Sequence, residues 1–213
     1  MGRITGLTIW MLPALCLAAL GLVFFSSGVA ADRAFPVPVY MIINHTMPEN
    51  AYADAASQLE AANDHDGDAL LAKAEAQSHI ATPHPLLIAE IKQALSRAPA
   101  SARGWTMLAE VCDAKCAGPA MALALSLAPH DYWLAGRRAR DAAGLWDVLP
   151  ESAQRQALDE ARLLWEEPAL RKQIAPLLAA KGGPALMTRA LADNPEDIRA
   201  LNRWLSAETR KRR

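Results

Sequence analysis

Between Trp105 and Pro129 the chain reads WTMLAEVCDAKCAGPAMALALSLAP, and its apolar residues recur twice with the pitch of an α-helix. Trp105, Leu108, Ala109 and Cys112 fall at i, i+3, i+4 and i+7, on one helical face. Ala117, Met121, Ala124 and Leu125, with Ala128 one turn on, make a second stripe. Pro129 closes it because proline cannot continue a helix. The spacing predicts two short antiparallel helices. Small residues at Ala109, Ala117 and Ala124 allow close approach, while Trp105 and Met121 are expected to fill the space between them.

This stretch resembles a tetratricopeptide repeat, whose pattern is Trp-x2-Leu-Gly-x2-Tyr, then Ala-x3-Phe, then a terminal Pro. Trp105, Leu108 and Ala109 match; Cys112 replaces the Tyr; Ala117 and Met121 stand for Ala and Phe; Pro129 ends the unit. The span is about four residues shorter than the repeat spacing, so either the turn between the helices is tight or the unit is divergent. The resemblance covers one unit well and its neighbours weakly. It implies an α-solenoid of helical hairpins that recognises peptides or subunits in a concave groove.

The start of the chain sets where such a domain would sit. An uncharged apolar run from Ile4 to Phe25 follows Arg3. Twenty-two helical residues span roughly 33 Å, enough to cross a bilayer core. Arg3 and the amino terminus form a minimal positive flank, which predicts export of everything downstream. Gly28-Val29-Ala30-Ala31 offers the small residues that favour cleavage, whereas the length of the run favours a retained anchor. Residues 1–33 are therefore read as a signal-anchor, with a cleaved signal peptide as the alternative. A lipoprotein box at Cys16 is rejected, because bulky Leu15 precedes it.

About 180 residues remain, enough for one helical domain with a real core. A net charge of −1 gives no case for nucleic acid. Residues 34–99 carry eight acidic and three basic side chains, and residues 131–213 carry fifteen basic and twelve acidic. Solvated helix faces explain this asymmetry most simply; two ends meeting oppositely charged partners is the sharper reading.

Residues 34–50 read as an extended linker, since Pro36 and Pro38 enforce open backbone before the apolar stretch Val39–Ile43. Helices are expected over Ala51–Asn63 and Gly67–Ile80. Between them, Asn63-Asp64-His65-Asp66-Gly67-Asp68 invites a calcium reading. With Gly67 at loop position six, however, Ala62 and Lys73 occupy the positions that need carboxylates. A further helix runs from Pro85 to Arg97, and another from Asp131 to Trp146, with Arg137, Arg138 and Arg140 on a face that meets solvent or, as the alternative, an anion. Later helices span Pro150 to Trp165, Ala169 to Lys181 with a C-cap at Gly182-Gly183, Pro184 to Ala192, and Asn194 onward. Residues 51–130 form the repeat-like part, and residues 131–213 a helical extension or cap with a basic tail. Trp133, Trp146, Trp165 and Trp204 are read as fillers between helices. The fold class is all-α, about nine or ten helices in a short array.

Catalytic chemistry has little to stand on. Cys112 and Cys116 are the only cysteines beyond the apolar segment. In an oxidising compartment they are a candidate disulfide across the Asp113-Ala114-Lys115 corner, with free thiols as the alternative. The five histidines show no ligand spacing, and His130 after Pro129 reads as a turn residue. Neighbouring carboxylates such as Asp159 and Glu160 point apart on a helix. No metal, cofactor or catalytic residue is expected. The expectation is a non-enzymatic, membrane-anchored or exported protein. It would act as an interaction scaffold or assembly factor for a bacterial envelope complex, such as polysaccharide export or a respiratory enzyme. It would sit in the inner membrane with its C-terminal domain in the periplasm, or be periplasmic if cleaved. The alternative is a permanent structural subunit of a membrane enzyme complex.

Overall fold

The computed structural model describes residues 49–60, 66–80 and 82–211. Among them every regular element is helical, so the chain is all-α there. The helices are α1 Glu49–Glu60, α2 Gly67–Ser78, α3 His84–Arg97, α4 Ala102–Val111, α5 Ala114–Leu127 and α6 Ala135–Gly144. They continue as α7 Glu151–Glu166, α8 Ile174–Ala179, α9 Gly183–Ala190 and α10 Pro195–Lys211, with 3-10 turns at Trp146–Val148 and Pro168–Gln173. The signal-anchor, the Cys16 box, the Val39–Ile43 stretch, His45, His65, Arg212 and Arg213 lie outside the described residues. Among the described residues no helix is long and apolar enough to cross a membrane.

Two compact units divide the chain, Met1–Ala81 and Thr82–Arg213. In the first, α1 and α2 form a hairpin around buried Tyr52, Ala55, Ala56 and Ala76, with Ile80 packed against them. Asp66, in the stretch weighed for calcium, caps α2. Its Oδ1 accepts the N–H groups of Asp68 at 2.9 Å and Ala69 at 3.4 Å, satisfying donors that no helical carbonyl can reach.

In the second unit α3 packs on α4, α4 on α5, and α6 on α7. Helices α8 and α9 then close over α6 and α7. From α3 to α9 the main partners of each helix lie no more than three helices away along the chain. Alanine makes the close approaches: Ala109, Ala117, Ala124, Ala139, Ala142, Ala157 and Ala161 are all buried. Met107, Met121, Leu125, Leu164, Ile174 and Leu177 fill the gaps, each contributing about 1.5–3 kcal/mol by leaving water. Short polar residues start the helices: the Ser101 hydroxyl accepts from Gly104 N–H, and Asn194 Oδ1 from Glu196 N–H.

Several expectations need correction. The helix expected from Asp131 starts only at Ala135, because Asp131 Oδ1 accepts the Trp133 N–H at 2.9 Å and builds a turn instead. Trp133 is consequently 68% exposed and fills nothing; Trp165 is buried, while Trp146 and Trp204 are half-buried. Arg138 is not on a solvent face but fully buried. The helix expected over Ala169–Lys181 is a 3-10 turn followed by six residues of α8, since Pro176 lacks the N–H that a continuous helix would use. Gly182 is not a C-cap: Ala180 ends α8, and Gly182, at φ 78°, is the N-cap of α9. A Cβ there would strike the Ala143 carbonyl. Trp105 is half-buried, and its indole N–H donates to the Pro99 carbonyl at 2.8 Å.

Candidate functional site

Helix α6 organises the polar chemistry of the second unit. Its consecutive arginines diverge by about 100° around the helix axis, as 3.6 residues per turn requires. Arg138 turns into the core. Its Nη1 donates to the carbonyls of Ala124 at 3.1 Å and Ala128 at 2.8 Å, and its Nη2 to Glu160 Oε1 of α7. Those carbonyls close the last turn of α5, where no intrahelical donor remains and a cation meets the negative end of the helix dipole. One guanidinium thus caps α5 and pairs with α7 from α6. Arg138 and Glu160 are 0% and 2% exposed. Burial pushes the Glu160 carboxyl up, and the Arg138 charge and the His130 N–H oppose that rise.

His130 sits in the turn between α5 and α6 with φ 62°, left-handed backbone that a non-glycine residue seldom adopts. Its N–H donates to Glu160 Oε1 at 3.3 Å. The buried pair therefore also holds the turn. His130 lines an open cleft of about 330 Å³ with Asp159, Arg162, Leu163 and Glu166, a volume at the small end of ligand sites. Arg162 is occupied by Asp159 at 3.3 Å and by the Ala190 carbonyl at 3.2 Å, with Asp193 at 3.8 Å. Beside the cleft, the Tyr132 hydroxyl donates to Glu167 Oε2 at 3.3 Å. That carboxylate's charge raises the Tyr132 phenol above its ordinary value.

On the neighbouring face of α6, Arg137 grips the Glu110 carboxylate at the end of α4 with both Nε and Nη2. Arg140 donates to Asp141 Oδ1 at 3.0 Å and to Glu110 Oε1 at 3.5 Å. Asp141 is pushed up to about 7, first by burial and then by the charge and hydrogen bond of Glu110. For Glu110, burial acts upward, but Arg137, Asp141 and Arg140 together outweigh it and the carboxyl lies below its ordinary value. Two residues beyond Glu110, Cys112 ends α4 and is joined to Cys116 in the first turn of α5, with Cα atoms 5.8 Å apart. Between them Asp113 caps α5, accepting the Cys116 N–H at 3.1 Å.

Of the residues singled out for the repeat core, Leu108, Ala109, Ala117, Met121 and Ala124 are buried together where α4 meets α5. Trp105 and Cys112 are half-buried, and Pro129 is exposed in the turn. Sequence reasoning missed Arg138, Glu160, Glu110, Asp141 and the cleft. A signal for the first two was present. Arg138 lies at i+3 from Ala135 and i−4 from Ala142, and Glu160 at i+3 from Ala157 and i−4 from Leu164, so both sit on buried stripes. No such signal marks the cleft, whose walls come from residues about thirty positions apart.

Among the described residues no three His, Cys, Asp or Glu side chains come together as a metal-binding group. No family model, curated protein or solved structure matches the chain.

Proposed function

We propose that this chain is a non-catalytic interaction scaffold, a tetratricopeptide-like array of helical hairpins held at or exported across a bacterial inner membrane. It would serve the assembly of an envelope complex. The observation that carries the reading is the apolar surface of residues 123–133. Leu123, Leu127, Tyr132 and Trp133 are 43%, 40%, 48% and 68% exposed on consecutive turns of one segment, which also contributes His130 to the cleft. Large side chains left in water this close together are the usual mark of a surface that meets another protein, and aromatic residues are enriched in such contacts. The helix order supports an array, because contacts between near neighbours along the chain are what stacked hairpins produce. The Cys112–Cys116 link suits an oxidising compartment, and the run Ile4–Phe25 supplies the route there.

The test is affinity purification of the full chain in mild detergent beside two variants, Trp133→Glu and, as a control on an exposed face of α7, Arg155→Glu. A scaffold recovers a defined partner that Trp133→Glu loses and Arg155→Glu keeps. A partner retained at one-to-one stoichiometry through high salt would assign the chain as a permanent subunit instead. A partner set identical in all three preparations would sink the proposed surface.

A further inference from the structure

Asp141 and Glu110 present a bonding problem that the surrounding arginines do not solve. Asp141 Oδ1 receives Arg140 Nε at 3.0 Å, but Oδ2 is buried with no donor directed at it. What interacts with Asp141 from α4 is the Glu110 carboxyl, itself gripped by Arg137. Two ionised carboxylates cannot donate to each other, and a buried acceptor without a donor costs about 1–3 kcal/mol. A proton on Asp141 removes both difficulties, supplying an O–H for the Glu110 carboxylate that Arg137 keeps ionised. The Asp141 and Glu110 side chains are 15% and 23% exposed, so the pair sits at the edge of the core rather than inside it.

We infer that Glu110 and Asp141 form a proton-operated clasp between the end of α4 and α6. With the proton in place the two carboxyls hold one another; without it they repel, and the α4–α5 turn loosens from α6.

Several other charged groups near α6 have partners of their own. Arg138 and Glu160 of α7 pair on the far face, Arg162 of α7 is held by Asp159 and Asp193, and Arg189 of α9 lies over the Trp146 ring. Helix α5 meets Arg138 through backbone carbonyls, and the turn before α9 meets α6 at Gly182 and Ala143. Burial, Glu110 and Arg140 set the behaviour of Asp141, and Arg137 acts on it through its grip on Glu110. The Asp141 value of about 7, driven first by burial and then by Glu110, agrees with this arrangement and places the change near neutrality. The folded value lies above the unfolded one, so the folded state holds the proton more tightly. Stability should fall as pH rises from about 4 to about 7, and level off above that. The limit for one proton is about a tenfold change in the folding equilibrium per pH unit.

The experiment is hydrogen–deuterium exchange of the full chain in detergent at pH ~5.5 and pH ~8.5, comparing wild type with Asp141→Asn and Glu110→Gln. Ratios of wild type to variant at each pH cancel the intrinsic pH dependence of exchange. The asparagine keeps a donor for Glu110 but cannot ionise, and the glutamine removes the facing charge. The expected result is that protection of amides from Leu108 to Cys116 in wild type, relative to Asp141→Asn, drops about tenfold or more at the higher pH. Between Asp141→Asn and Glu110→Gln the ratio should change less than between Asp141→Asn and wild type, because burial still raises Asp141 when the facing charge is gone. A wild-type to Asp141→Asn ratio that is the same at both pH values would overturn the clasp, whether or not either variant is less stable. Should Glu110→Gln fail to fold, the asparagine comparison decides alone.

Discussion

Arg137 and Arg138 are neighbours in sequence with the same charge, yet they do different work. Arg138 reaches a carboxylate on α7, 22 residues away, and the pair is sealed from water. Arg137 reaches a carboxylate on α4, 27 residues away, in a cluster that water still touches. In the sealed pair, two ions have lost their hydration, and their attraction plus two α5 carbonyls only about offsets the loss. Its value lies in geometry, because removing either partner strands the other. In the open cluster single losses are screened, but two carboxyls compete for one proton. Burial depth thus divides the two roles on one helix: a lock that tolerates no missing part, and a joint that responds to pH.

That contrast can be broken. Arg138→Met should destabilise the protein by about 3–5 kcal/mol in denaturant unfolding, since Glu160 is left charged and alone in the core. Adding Glu160→Leu should restore most of the loss, because an apolar pair needs no compensation. If Arg138→Met costs no more than Arg137→Met, the distinction between lock and joint is wrong.

A smaller effect should come from the disulfide beside the open cluster. Replacing Cys112 and Cys116 by serine frees a loop of about five residues, worth about 2 kcal/mol on chain entropy. The serine variant should exchange amides faster at the α4–α5 turn than around Arg138. Equal acceleration at both places would detach the disulfide from the joint.

Arg137→Met should cost about 1 kcal/mol at neutral pH, as expected for a pair still reached by water. The sign of its pH dependence is also set. Glu110 lies below its ordinary value in the folded state, so its contribution is present above about pH 4.5 and is lost as pH falls through the folded value. Acid titration of Arg137→Met should therefore show a shallower loss below pH ~4.5 than wild type. The smallest change is expected for His130→Gly, less than about 1 kcal/mol, since glycine accepts the left-handed backbone and keeps the N–H on Glu160. A loss as large as that of Arg138→Met would mean that the imidazole, and not the backbone, supports the buried pair.

Much of the fold could be read from residue order. The apolar spacing around Leu108, Ala109, Met121 and Ala124 announced the α4–α5 hairpin, whose helices are separated by two residues. Asn194-Pro195 marked the start of α10 to the residue. Reading went wrong where a local bond competed with helical pitch, as at Asp131 and Trp133, or where proline broke a pattern that otherwise ran on, as at Pro176. Arg138 and Glu160 were passed over for another reason. Charge by itself points to solvent, although the spacing of both residues places them on buried stripes.

Residue order alone determined the all-α class and the places where most helices begin and end, because pitch, capping and proline act within a few residues of their cause. Only the tertiary structure decided that α6 carries a sealed ion pair on one face and a proton-sharing carboxyl pair on the next. Periodicity sets the angle at which a side chain leaves its own helix. It says nothing about which distant helix will meet it, or how much water the meeting excludes, and those two quantities govern the strength of a charge.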